Sequence, residues 1–400
     1  MIKLILYIWL TLNMDPENIL NDLFPEIIRA SQTIYDLAEL GSEEYKSSEY
    51  LIDLLQKYDF SITKNFADMK TAFKAEYGSG RFKIGFLAEY DALPNGHSCG
   101  HNLISGWAIG CALVLSRIKP GFTICIVGTP SEEGIGPYAG SKIRMAESGL
   151  LSDIDVFFGS HPDDAWGIGS TALSDLTLKL EIRGKSAHGA DSPEEGANAL
   201  DAAVSIYQGI NNLRGWAKND KHLVVGMIIT KGGQATNVIP EFAELHVEIR
   251  STSASFVRKF SDKVINLAKN MAVSYGCSLK HEEITPFYSS YRNNNILMQL
   301  QKEELQKLGI SPVVHSEKIE IASGSTDEAN VSQVVPTCHI DFPIGHSGIV
   351  GHSDEFRNAA NPVKASKSLY KAILATVKVA LRLTEPGVLE KVKADFELSE

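Results

Sequence analysis

FLAEYDALPNGHSCGHN, residues 86–102, is the stretch on which the reading of this chain turns. Its opening residues are apolar like a strand, and the apolar pattern from Leu103 to Leu115 has helical spacing. Cys99 and His101 stand two apart on the loop between them, separated by one glycine. A thiolate and an imidazole so placed can face one centre, and both suit zinc-like ions. Taken alone, the pair reads more readily as a buried thiol beside a satisfied histidine. Residues at the ends of other strands decide between the two.

Upstream, Pro16 to Tyr58 carries apolar residues at helical spacing and predicts two helices with one buried face each. Ala72–Tyr77 and Lys83–Glu89 read as strands, and Gly78-Ser-Gly80 between them predicts a hairpin. Downstream, Phe122–Gly128 is a short, wholly apolar run of the kind buried on both faces of a sheet, and it leads into Glu132 and Glu133. Asp155–Gly159 is another short strand, ending in Ser160-His161-Pro162. Strands alternating with helices, with polar residues at the strand C-termini, predict an α/β sheet with its site along that edge. Past Leu173 two strand–helix–strand units follow, a small sandwich with helices on one face, and long helices resume near Ile284. The expected division is a catalytic domain over 1–173 and 285–400 with an insertion over 174–284.

The balance of 44% hydrophobic and 22% charged residues is that of a globular protein, and 400 residues suit two domains. A net charge of −11 without a Lys/Arg tract argues against nucleic acid. Five cysteines with no CxxC pair read as intracellular thiols, and a cytoplasmic, non-membrane protein is expected. MIKLILYIWLTL, residues 1–12, falls short of the ~20 residues of a membrane span. Translation from Met14 is the preferred reading there, with a first strand or weak anchor as the alternative.

Four strand ends thus supply ligand-type residues: Cys99 with His101, Glu132 with Glu133, His161, and His352. On an extended backbone Glu132 and Glu133 would point to opposite sides, one toward a metal and one toward substrate as a general base. Five candidate ligands and a spare carboxylate are enough for a two-metal hydrolytic site.

The motifs AEYDALP (88–94), GHSCGHN (96–102), GTPSEEG (128–134), SHP (160–162), GKSAHG (184–189), GGQATNVIP (232–240), GSTDEANVS (324–332) and GHSDEF (351–356) together resemble the di-metal aminoacylase/carboxypeptidase family. The nearest likeness is to its hippurate, indole-acetyl-amino-acid and p-aminobenzoyl-glutamate hydrolases. The resemblance implies a phosphorylase/hydrolase-like α/β catalytic domain, a mixed sheet between helices, with an inserted α+β, ferredoxin-like lid through which the protein forms a homodimer. It implies Cys99, His101, Glu133, His161 and His352 as ligands of two divalent ions, zinc first, with manganese or cobalt as substitutes. Glu132 matches the general base, and Asp91 the residue that orients a metal ligand. His188 matches a histidine that reaches the oxyanion, often across the dimer. Asn237 and Arg250 match positions that hold the substrate carboxylate; for Arg250 a strand-end salt bridge is the competing reading. Ser325 and Thr326 match a substrate-pocket segment of the p-aminobenzoyl-glutamate and basic-dipeptide hydrolases, although Glu328-Ala329 stands where Met-Gly is expected. His97 is read as packing, and Asp327 and Glu355 as ordinary surface acids. The expected activity is metal-dependent hydrolysis of the amide of a small-molecule N-acyl amino acid or dipeptide. A non-catalytic conjugate-binding relative and a closed structural zinc site are the alternatives, and the presence of Glu132 argues against both.

Overall fold

The computed structural model describes residues 15–217, 222–315 and 324–398. The reading of residues 1–13 lies outside them. The chain forms two compact units. One takes the chain up to Ser170 and resumes at Arg292 and again at Asn330; the other comprises Thr171–Tyr291 and the stretch ending at Ala329.

In chain order the first unit opens with α1 (Pro16–Leu37), α2 (Tyr45–Gln56), β1 (Ser61–Lys64), β2 (Phe73–Tyr77), β3 (Lys83–Ala88), α3 (His101–Ile118), β4 (Thr123–Gly128), α4 (Ser141–Glu147), β5 (Val156–Asp163) and β6 (Gly167–Ile168). There follow β7 (Ser174–Arg183), α5 (Ala199–Trp216), β8 (Val224–Lys231), β9 (Phe242–Ser251), α6 (Ala254–Ser274) and β10 (Ser278–Glu283). The chain then runs through α7 (Asn295–Lys307), β11 (Val313–Val314), α8 (Glu328–Val334), β12 (Thr337–Pro343), α9 (Asp354–Ala359), α10 (Pro362–Arg382) and α11 (Val388–Leu398).

The first unit is built on a mixed eight-stranded sheet in the order β1-β2-β4-β3-β5-β12-β6-β11. Its centre, β4-β3-β5-β12, is parallel, so the C-termini of these strands share one edge. These strands are apolar on both faces because both faces are covered. Phe86, Phe158, Ile340 and Phe342 pack with residues of α1, α3 and α10 in one buried cluster; Leu87, Val127 and Phe157 belong to a second. In α3 a Cβ at Gly106 would stand 2.9 Å from Ser31 of α1, and one at Gly110 would stand 2.6 Å from Ile373 of α10. These glycines let three helices approach closely, and α3 is buried over nearly its whole length.

The predicted hairpin is not formed. β4 lies between β2 and β3, antiparallel to the first and parallel to the second. Gly80 serves another purpose, since a Cβ there would stand 2.1 Å from Phe122 Cα. β5 also runs further than its apolar residues indicate. Ser160, His161 and Pro162 lie within it, opposite Ile340, Asp341 and Phe342 of β12.

The second unit is a four-stranded antiparallel sheet in the order β10-β7-β9-β8, with α5 and α6 packed on one face. The order and the two strand–helix–strand passes are ferredoxin-like, as expected. Asn198 caps α5 through the Leu200 and Asp201 amides, and Ser253 caps α6 through Phe256. β8 is an edge strand, and Ile228 on it is 60% exposed. Among the described residues no helix is long and apolar enough to cross a membrane.

Candidate metal centre

The parallel edge of the first unit gathers Asp91, Cys99, His101, Glu132, Glu133, His161 and His352. His101 is the first residue of α3 and is fully buried. Its Nδ1 lies 2.7 Å from Asp91 Oδ1, and Asp91 Oδ2 accepts from the Glu133 amide at 3.1 Å. Asp91 therefore accepts from Nδ1–H, the tautomer that leaves the Nε2 lone pair facing the site. His161 is set in the same way, with Nδ1 2.7 Å from the Pro162 carbonyl and Nε2 3.3 Å from Cys99 Sγ. His352 adopts a left-handed conformation, φ 63°, with its amide donating to the Ser98 carbonyl at 2.8 Å. Its Nε2 comes within 3.4 Å of Glu133 Oε1.

Glu132 and Glu133 do not lie on extended backbone. Ser131 takes a left-handed conformation, φ 57°, and the two glutamates occupy the turn that follows. Both carboxylates consequently approach the same atom, each 3.8 Å from His101 Nε2.

Ligand atoms converge in three groups: Cys99, His101 and His161; Cys99, Glu133 and His352; and Glu89, His101 and Glu132. Cys99 belongs to the first two, so one thiolate can serve two ions. His101 Nε2 and Glu133 Oε1 are buried and carry no hydrogen bond among the described residues. Burial pushes the Cys99 thiol well up against the pull of His101, and the Glu133 and Glu132 carboxylates add to it. A buried space with a surplus of anionic groups and two aimed, unpartnered lone pairs fits a divalent cation.

Three buried charges at this edge carry no local sequence signal. Glu89 Oε1 pairs with the fully buried Lys142 at 2.9 Å, while its Oε2 lies 3.4 Å from His101 Nε2. Glu44, fully buried, accepts from the Ser131 amide at 2.9 Å and from Thr71 Oγ1 at 3.0 Å. Burial first and the charge of Asp91 second raise its pKa from 4.5 to about 7. Because the folded value is the higher one, its contribution to stability is full below pH 4.5 and is lost as pH rises through 7. The shift corresponds to about 3 kcal/mol. Glu44→Gln is therefore expected to gain on wild type in urea unfolding free energy between pH 5 and pH 8, by about 2–3 kcal/mol. A gap equal at both pH values would contradict a raised Glu44 pKa.

His97 behaves as a packing residue. It lies 2.9 Å from the Ile34 carbonyl, stacks on Tyr35, and is pushed by burial down to about 4. Glu355 is exposed beside His346. Asp327 is not a surface acid, because its side chain is fully buried.

In the second unit His188 and Asn237 come together. The Gly189 amide donates to the Asn237 carbonyl at 2.9 Å, and His188 bridges Val238. His188 Nδ1 accepts from the Ala190 and Asp191 amides at 3.3 and 3.1 Å, which places the ring proton on Nε2 as a donor. Arg250 is elsewhere: eight residues of β9, about 26 Å at strand rise, separate it from Phe242 beside that loop. Its guanidinium meets Glu248 at 2.8 Å and Asp175 at 3.3 Å. Ser325 Oγ is buried without a hydrogen-bond partner among the described residues, and Thr326 Oγ1 accepts from the Glu328 amide at 3.3 Å.

Comparison with known proteins places this arrangement. Residues 175–276 match the peptidase dimerisation domain. Over 393 residues the chain is 32% identical to the Xaa-Arg dipeptidase of Homo sapiens, covering 92% of this chain and 88% of that one. The chain belongs to the M20 peptidase family. It is 30% identical to one of the polypeptides of the p-aminobenzoyl-glutamate hydrolase of Escherichia coli K12, over 72% of this chain and 63% of that one. Among solved structures, a dinuclear metal-binding M20 peptidase of Bacillus subtilis superposes with a TM-score of 0.68 at 21% identity, covering 90% of this chain and 99% of that one. The M20 fold includes the inserted dimerisation domain seen here, and as a member of the family the protein is a hydrolase.

Proposed function

We propose that this M20 hydrolase holds two divalent ions per chain and cleaves the amide of a dipeptide or N-acyl amino acid, releasing a free amino acid. The observation that carries this reading is the pair of three-ligand groups sharing Cys99, with Glu132 beside them and outside both. In it Cys99, His101 and His161 would hold one ion, and Cys99, Glu133 and His352 the other. The thiolate favours zinc, with manganese or cobalt as substitutes. A divalent ion in such a site supplies Lewis acidity that polarises a carbonyl and eases deprotonation of water.

The chain's own residues do the remainder. Glu132 takes a proton from the attacking water and returns it to the leaving amine. Asp91 fixes the His101 ring and its tautomer. His188, with its proton on Nε2, donates to the oxyanion, while Asn237, Arg250, Ser325 and Thr326 bind substrate. The separation of Arg250 from the His188–Asn237 loop along β9 supports a reading in which one protomer supplies the arginine and its partner the loop.

The likeness to the Xaa-Arg dipeptidase makes dipeptides ending in arginine the first substrates to try, with p-aminobenzoyl-glutamate and N-acetyl amino acids beside them. Zinc-loaded protein is expected to release free amino acid from at least one of these classes and to lose that release in chelator. No release from any of them would overturn the reading.

The dimer forms through the inserted domain, taken as 174–284. Exposed apolar side chains on an unpaired edge strand invite a second strand, and β8 offers Ile228. Ile228→Lys is expected to convert dimer to monomer by light scattering, and an unchanged dimer would place the interface elsewhere. A cytoplasmic setting accords with five free cysteines.

A further inference from the structure

The Glu132–Glu133 turn hangs on one left-handed serine. Ser131, at φ 57°, is in a conformation that non-glycine residues adopt only when their surroundings hold them. The loop before α2 supplies that hold. Glu44 stands at the N-cap of α2, where an acidic residue ordinarily accepts from the helix's own amides, yet its side chain makes no capping bond. It turns inward. One carboxylate oxygen accepts from the Ser131 amide at 2.9 Å and lies 3.4 Å from Ser131 Oγ; the other accepts from Thr71 Oγ1 at 3.0 Å. Thr71 is fixed from the strand side, because Tyr90 donates its hydroxyl to the Thr71 carbonyl at 2.5 Å.

The same loop grips both neighbours of the turn. Ser42 Oγ lies 2.8 Å from Ser131 Oγ and 3.0 Å from the Ile135 carbonyl. The Ala92 amide, next to Asp91, donates to the Glu39 carbonyl at 2.8 Å. A Cβ on Gly41 would stand 2.9 Å from the Ile135 carbonyl, so the loop lies in direct contact with this segment. Burying a carboxylate is costly, and an apolar residue would fill the same space more cheaply. What the carboxylate adds is an acceptor aimed at one amide, two residues from Glu133 and one from Glu132.

We infer that Glu44 is a positioning residue that sets the Ser131 turn, and with it the aim of the Glu132 and Glu133 carboxylates at the site. Glu44 touches neither substrate nor the proposed ligands, and acts through Ser131. The inference rests on the roles proposed above for Glu132 and Glu133.

The test compares Glu44→Ala and Glu44→Gln with Glu132→Ala, each at saturating zinc, reading kcat and KM separately together with zinc content. Glutamine keeps an oxygen for the Ser131 amide, so Glu44→Gln should hold kcat within about threefold of wild type, since an amide oxygen replaces a carboxylate oxygen at the same point. Glu44→Ala frees the turn, and a displacement of about 1 Å at the reacting groups should lower kcat roughly 10²-fold with KM little changed. Glu44→Ala with wild-type kcat, or Glu44→Gln as impaired as Glu44→Ala, would overturn the inference. If Glu44→Ala does not fold, Thr71→Val carries the test. It removes one donor to the carboxylate without changing shape, and should lower kcat by roughly tenfold, a smaller displacement than loss of the carboxylate. An unchanged kcat in Thr71→Val would then overturn the inference. Full activity in Glu132→Ala would instead sink the proposed roles themselves, which separates the two failures.

Discussion

Glu132→Ala is expected to lose kcat by roughly 10²- to 10⁴-fold, the range that a positioned general acid–base contributes, while keeping its full complement of metal. The expectation comes from geometry. Glu132 Oε2 lies 3.8 Å from His101 Nε2, and its side chain is mostly buried, yet it belongs to neither group that contains Cys99. It does belong to the group with Glu89 and His101, so ligation by Glu132 is the competing role. Kinetics with metal analysis on the same preparation separate the two. Loss of activity with metal retained makes Glu132 the base; loss of both makes it a ligand.

His101→Ala is expected to fail differently, losing metal along with turnover. A residue that merely orients a ligand is worth about 10- to 100-fold in metal affinity, and a ligand that is itself removed should exceed that. The metal-free protein should suffer too. His101 and Asp91 are both buried and 2.7 Å apart, so truncation strands a buried carboxylate. Breaking such a pair costs about 3–5 kcal/mol. Dialysed His101→Ala should therefore show both an emptied site by elemental analysis and a lowered unfolding midpoint. Wild-type metal stoichiometry in this variant would exclude His101 as a ligand.

Much of this arrangement is legible in the chain itself, and what is not has a common cause. The helical spacing of Ile19, Leu23, Ile27 and Ile34 gives the buried face of α1 directly, since periodicity is local. Cys99, His101, His161 and His352 draw attention because few residue types bind metals, and the sheet brings them to one edge. Strand partnership is not local. Gly78-Ser-Gly80 resembles a hairpin turn, but the insertion of β4 between β2 and β3 depends on how apolar strands sort within the sheet. The polar Ser160 and His161 look like a strand end until β12 pairs with them. The turn at Glu132 is hidden for the same reason, because the acceptor that holds Ser131 lies 87 residues earlier. Glu44 just before a helix looks like an ordinary acid at a helix N-terminus. The clustering of Glu89 with Lys142, and the distance of Arg250 from Asn237, likewise appear only when the strands are in register.

The central claim is a two-ion site built around one shared thiolate. Native mass spectrometry of zinc-reconstituted protein tests it most directly. Wild type is expected to carry two ions per chain, and Cys99→Ala to lose affinity for both together, because the thiolate belongs to both ligand groups. A wild-type chain that takes up no metal, or only one ion, would contradict the account.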